Sequence, residues 1–168
     1  MKLIKKICAA FVVMSTLLAS TSVSAYAALP VEKLSVSKTA NHIILIVGHK
    51  NNKNKVTVND YTKSSDGKWT KNWYVNGIAG TNGISTQKSE GDKKTPEGVF
   101  NAMFAFGLKD NPGSLLEYRK IGDGDYWVDD SNSAYYNTWV NTSKVKKDWA
   151  SAEDLKAAYP FYNYALAL

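Results

Sequence analysis

The chain has 168 residues, a formal net charge of +6 and a single cysteine, Cys8. This length suits one domain with a hydrophobic core. The lone cysteine excludes an intramolecular disulfide and any zinc site built on several thiolates. The lysines are scattered and form no continuous basic patch, so we predict no nucleic-acid partner.

The first 27 residues are typical of a secretion signal. Three lysines precede an apolar segment, residues 7–19, which is shorter than the roughly 20 residues of a membrane span. Ala25 and Ala27 fit the small-residue pattern of a cleavage site. Cleavage would leave 18 basic against 15 acidic side chains. We predict a secreted or cell-wall protein that contacts the membrane only transiently, through this signal; a retained N-terminal anchor is the alternative.

The rest of the sequence indicates a mainly β protein. Residues 28–41 are predicted to be a linker, and residues 42–168 a domain of short strands separated by turns. The β-branched run 42–48 predicts a buried strand. The alternating segment 56–61 predicts the second arm of a hairpin.

A third strand is predicted around Trp69, Trp73 and Val75, which share parity and are therefore expected on one face. The glycine-rich segment 77–83 follows. It lacks the Gly-Lys-Ser/Thr ending of a nucleotide-binding loop. Its glycines are therefore predicted to supply positive φ angles in turns.

One helix is predicted near the end of the sequence. Ser151 and Asp154 fit a capping box, apolar residues follow at helical spacing, and Pro160 ends the pattern. Residues 161–166 then predict a strand. The predicted fold is a mainly β sandwich or barrel-like roll with this one short helix.

Candidate metal and catalytic residues are few. His42 and His49 are seven residues apart, so in a strand they point to opposite faces and are predicted to be solvated side chains. A Ser-His-Asp triad is not excluded by spacing, and an unrelated secreted enzyme using His49 stays open. The acidic segment 123–130 lacks the pattern of a calcium loop and predicts a solvated turn. We predict no metal and no cofactor.

Aromatic residues suggest a binding surface. Tyr135, Tyr136 and Trp139 are predicted to line a groove that binds sugars or peptide stems through ring faces and polar edges. Core packing is the alternative and should account for at least half of the tryptophans.

The segment GDKKTPEGVF, residues 91–100, resembles the Gly-Asp-x-x-Thr-Pro-x-Gly-x-Phe/Tyr motif of the L,D-transpeptidase catalytic-domain family, the YkuD-like fold. Similar segments precede and follow it in order between residues 43 and 168. The resemblance implies a secreted β-sandwich-like enzyme that cross-links peptidoglycan stem peptides. In that family a cysteine thiolate forms an acyl-enzyme, which an amine of a second stem resolves.

The resemblance also assigns Thr95, Pro96 and Gly98 to scaffold or groove-rim positions. The family's histidine strand and Ser/Thr-x-Gly-Cys segment would come after residue 168, and Cys8 lies in the predicted signal. We therefore expect residues 42–168 to be a partial L,D-transpeptidase domain, its C-terminal strands missing, with no catalytic residue and no activity of its own. The alternative is a non-catalytic peptidoglycan-binding wall protein.

Overall fold

A computed structural model describes the backbone of residues 9–14 and the whole of residues 30–168. The chain divides into two compact units, here called unit 1, up to Asn101, and unit 2, Ala102–Leu168. Strands dominate both units, which confirms the prediction of a mainly β protein. The predicted signal peptide, residues 1–27, lies outside the described residues except for residues 9–14.

Unit 1 consists mainly of one five-stranded sheet. The described strands of the unit are β1 (Ala9–Met14), β2 (His42–His49), β3 (Asn52–Lys63), β4 (Trp69–Ile78), β5 (Ile84–Ser85), β6 (Thr95–Pro96) and β7 (Gly98–Asn101). The sheet has the order β4-β3-β2-β1-β7, with β1 parallel to β2 and antiparallel to β7. Strands β5 and β6 form a separate parallel pair.

The core of unit 1 lies against the alternating face of β2. Ile43, Leu45 and Val47 are buried there, as period-2 alternation of branched side chains requires. Two short 3-10 helices, Val31–Lys33 and Ser35–Lys38, cover this face from the stretch predicted as a linker. Residues 30–41 therefore contribute to the hydrophobic core of unit 1.

A β-bulge changes the predicted face of the third strand. Tyr61 pairs with Lys71 and Asp60 pairs with Trp73, so one extra residue of β4, Asn72, lies between these pairs. A one-residue shift moves the following side chains to the other face of a sheet. Trp69 accordingly packs against the core, whereas Trp73 is 46% exposed. The prediction that both tryptophans share a face is wrong.

Unit 2 contains two three-stranded sheets. Its strands are β8 (Phe104–Gly107), β9 (Tyr118–Lys120), β10 (Asp125–Val128), β11 (Trp139–Asn141), β12 (Ala152–Asp154) and β13 (Ala165–Ala167). The sheet orders are β11-β10-β12 and β13-β8-β9. One hydrophobic cluster surrounds Phe106 and Leu155, and a second surrounds Val128 and Trp149.

The predicted helix after Ser151 does not form. Residues 152–154 pair with β10 as β12, and a series of turns follows. The Asp154 carboxylate accepts hydrogen bonds from the backbone N–H groups of Lys156 and Ala157, both at 3.0 Å. Strand pairing thus overrides the local capping pattern, and the Asp154 side chain stabilises a turn. The strand predicted at 161–166 is also displaced, since β13 begins at Ala165.

Candidate functional site

The motif segment of unit 1 forms a turn organised by Asp92. Its carboxylate accepts hydrogen bonds from the backbone N–H of Ser89 at 2.9 Å and of Lys94 at 2.8 Å, and it pairs with the Lys88 ammonium. Gly91 has φ of 72°, a left-handed conformation that glycine adopts without strain. The Gly-Asp pair of the motif therefore closes the turn that leads into β6.

Thr95 ties this turn to the glycine-rich segment. Its Oγ1 accepts a hydrogen bond from the Gly80 N–H at 2.9 Å, and its own N–H donates to the Gly83 carbonyl at 2.8 Å. We name this arrangement, residues 80–85 with residues 91–98, the Thr95 turn. Gly83 has the predicted positive φ, but Gly77 and Gly80 do not. At Gly80 the requirement is space, because a Cβ would lie 2.3 Å from the Lys93 carbonyl oxygen.

Thr95 and Pro96 form β6 of unit 1, and Gly98 begins β7. Pro96 is exposed, while Thr95 and Gly98 are partly buried. A Cβ at Gly98 would lie 3.3 Å from the ring of Phe100, so a larger residue would press on this side chain. Of the three, Pro96 presents the most surface to a ligand.

The Asp92 carboxyl gives the Thr95 turn a pH dependence. Hydrogen bonding to Lys88, followed by the backbone N–H groups of Ser89 and Lys94, lowers the pKa of Asp92 from 3.8 to about 2. A carboxyl whose pKa is lower in the folded state stabilises the fold above the unfolded-state pKa, and this stabilisation is lost as pH falls through the folded-state pKa. Its contribution is therefore complete above about pH 4 and disappears towards pH 2.

We expect Asp92→Asn to make the stability of the chain less dependent on pH in acid. The urea midpoint of the parent chain should fall more between pH 5 and pH 2.5 than that of the variant, because asparagine has no proton to take up. The measurement is urea unfolding followed by circular dichroism at both pH values. Equal slopes for the parent and Asp92→Asn would contradict the role of Asp92.

A cationic cavity adjoins the Thr95 turn within unit 1. It has a volume of about 220 Å³. Its lining residues are Gly48, His49, Lys50, Lys53, Asn82, Gly83 and Ile84. Lys50 and Lys53 give it positive charge, and no acidic residue lines it. Such a cavity favours an anionic group.

The two histidines are engaged by neighbouring side chains. His42 Nε2 pairs with the Asp60 carboxylate, and His49 Nε2 lies 2.9 Å from Thr57 Oγ1. Both histidines are half-buried, and β3 supplies a polar partner to each, so they are only partly solvated. In the described part of the chain, no group of three or more His, Cys, Asp or Glu side chains could hold a metal ion.

The acidic segment 123–130 is only partly a solvated turn. Asp125 is buried and begins β10. It accepts hydrogen bonds from the Trp139 indole N–H at 3.1 Å, the Asn141 amide at 2.8 Å and the Gly122 N–H at 2.8 Å. The prediction of a solvated turn fails for this residue, which joins two strands of unit 2.

The three aromatic residues predicted to line a groove all lie in unit 2. Tyr135 packs edge-on against Trp149, with ring centroids 5.9 Å apart. Trp139 packs edge-on against Phe106 at 5.4 Å. Tyr135 and Trp139 therefore contribute to two different hydrophobic clusters, and Tyr136 is the most exposed of the three.

Unit 2 contains an aromatic cavity that the sequence did not indicate. It has a volume of about 310 Å³, and we name it the Trp127 cavity. Its lining residues are Phe106, Trp127, Glu153, Leu155, Tyr162 and residues 165–168. These residues are distant along the sequence, and only the pairing of β10 with β12 and of β8 with β13 brings them together.

Comparison with known proteins identifies no relative. No family model, curated protein or solved structure matches the chain. Over the described residues, no helix has the length and apolar character needed to cross a membrane.

Proposed function

We propose that this chain is a member of the L,D-transpeptidase family and that unit 1 binds peptidoglycan stem peptides at the Thr95 turn and the adjoining cationic cavity. The observation that carries the proposal is a shared strand pair. Thr95 and Pro96 of the motif pair with Ile84 and Ser85, and Ile84 also lines the cavity. The motif that resembles the family thus pairs with a strand that lines a cavity suited to an anion.

The charge of the cavity supports a stem peptide as ligand. Stem peptides end in carboxylates, which form charge-assisted hydrogen bonds with ammonium groups such as those of Lys50 and Lys53. Gly83 and Ile84 add backbone and apolar contacts for an extended peptide. Exposed Pro96 lies on the neighbouring strand, β6, beside Ser85.

The transfer chemistry is not assigned to this chain. It requires a nucleophilic thiolate, and the single cysteine, Cys8, follows Lys5-Lys6-Ile7 and so does not match the family's Ser/Thr-x-Gly-Cys segment. Both histidines pair with neighbours on β3. We therefore propose that the chain binds stem peptides without cross-linking them, and cysteine-dependent cross-linking by the purified chain would contradict this.

Binding to purified peptidoglycan sacculi tests the proposal. We expect the chain to be retained, and the double variant Lys50→Gln, Lys53→Gln to lower the retained fraction at least threefold at physiological salt. The variant Lys146→Gln, Lys147→Gln changes the same net charge on exposed side chains of unit 2 and should bind like the parent. Equal losses in both variants would indicate unspecific attraction and overturn the assignment of the cavity.

A non-catalytic wall-binding protein outside the family is the second candidate, because a cavity lined by Lys50 and Lys53 suits a stem-peptide carboxylate without any catalytic residue. Reading the gene beyond codon 168 separates the two. A downstream histidine strand followed by a Ser/Thr-x-Gly-Cys segment would support the transpeptidase. Sacculus binding without such a segment would support the wall-binding protein.

A further inference from the structure

We infer that the Trp127 cavity of unit 2 binds a primary ammonium group carried on an aliphatic chain, such as a lysine-type side chain. This inference does not rest on the proposed function of unit 1. It follows from one carboxylate placed beside aromatic rings in a cavity of about 310 Å³, a volume that accommodates an extended alkylamine.

The carboxylate and the largest ring are fixed by strand pairing. Trp127 of β10 pairs directly with Glu153 of β12, so the two side chains share one face of the sheet. Trp139 pairs with Trp127 on its other side. A row of two indoles and one carboxylate therefore crosses the sheet, and its Trp127 and Glu153 end lines the cavity.

Two further aromatic residues line the cavity. Phe106 and Tyr162 have ring centroids 5.5 Å apart, and both line the cavity. The Tyr162 hydroxyl donates a hydrogen bond of 2.8 Å to Glu153 Oε2, which holds the carboxylate against the cavity. Burial, and then this hydrogen bond, raise the pKa of Tyr162 well above its usual range, so the phenol stays protonated and keeps donating.

The chemistry of this lining selects a cation over an anion or a neutral ligand. Ring faces attract an ammonium within about 6 Å, and a carboxylate adds a charge-assisted hydrogen bond. The lining contains no lysine or arginine. The nearby Lys156 ammonium pairs with Asp123. Leu155 and the Ala165–Leu168 stretch provide apolar walls for the methylene groups of the ligand.

Titration of the full chain with Nα-acetyl-lysine methylamide tests the inference. Calorimetry gives the affinity, and the indole N–H resonance of Trp127, assigned by its loss in Trp127→Phe, reports the location. We expect saturable binding that shifts this resonance. The analogue acetylated at the side-chain nitrogen should bind at least tenfold more weakly, because it lacks the charge.

The variant Glu153→Gln should weaken lysine-probe binding at least tenfold, while its amide oxygen still accepts the Tyr162 hydrogen bond and preserves the fold. Glu117→Gln, an exposed carboxylate of unit 2 that pairs with Arg119, should bind like the parent. Equal affinity for the charged and acetylated probes, or unchanged affinity in Glu153→Gln, would overturn the inference. So would binding of N-acetylglucosamine in preference to the charged probe.

Discussion

Replacing Gly80 with alanine is expected to lower the free energy of unfolding of unit 1 by about 3 kcal/mol. The added methyl group would lie 2.3 Å from the Lys93 carbonyl oxygen and 2.8 Å from the carbonyl carbons of Lys93 and Lys94. These are backbone atoms, so they cannot move aside by a rotamer change. The two segments of the Thr95 turn would have to separate.

That separation would also remove specific hydrogen bonds. The Gly80 N–H donates to Thr95 Oγ1, and the N–H groups of Thr95 and Glu97 donate to the carbonyls of Gly83 and Ser85. Native-state amide exchange at Thr95 and Glu97 therefore reports the local damage, while urea unfolding reports the global loss. We expect both amides to lose protection in Gly80→Ala.

Gly91→Ala is the matched control for Gly80→Ala. Gly91 has φ of 72°, and a methyl carbon added there would have no heavy atom within 4 Å outside its chain neighbours. The substitution should cost only the conformational penalty of about 1 kcal/mol. If both variants lost the same stability, close packing at Gly80 would not be the cause.

The strands that the sequence predicted correctly are those whose signal is local. The run at residues 42–48 forms β2, His42–His49, because its branched apolar residues favour a strand and alternate ones are buried. The face of Trp73 could not be predicted, since a bulge has no signature in the parity of side chains. The helix after Ser151 failed because β10 offers a pairing edge that no local pattern reveals.

The candidate sites follow the same distinction. Thr95, Pro96 and Gly98 are close in sequence, so their proximity in the structure was predictable from the motif. The partner of Thr95, the Gly80 N–H, is 15 residues away and was not. The Trp127 cavity depends on Tyr162, which contacts Glu153 because the turns that follow β12 bring the chain back to this strand. Aromatic composition indicated a binding surface but not which rings form it.

Introducing proline at Val12 is expected to destabilise unit 1 of the uncleaved chain by about 4 kcal/mol. Val12 lies in β1 between two neighbours, paired with Leu45 of β2 and with Val99 of β7. In an interior strand the backbone N–H is needed by one neighbour or the other, and proline removes it. Val12→Thr keeps the N–H and the β-branched shape, so it should stay within about 1 kcal/mol of the parent.

The same substitution tests whether the sheet of unit 1 depends on β1, which lies within the predicted signal peptide. Cleavage after Ala27 would remove β1, and with it the strand that pairs with both β2 and β7. Signal cleavage and this five-stranded sheet therefore cannot coexist in one molecule. In the uncleaved chain, Val12→Pro should lower the urea midpoint and the amide protection of β7. A proline variant as stable as the parent would mean that β2 and β7 do not depend on residues 9–14, and that the sheet tolerates their removal.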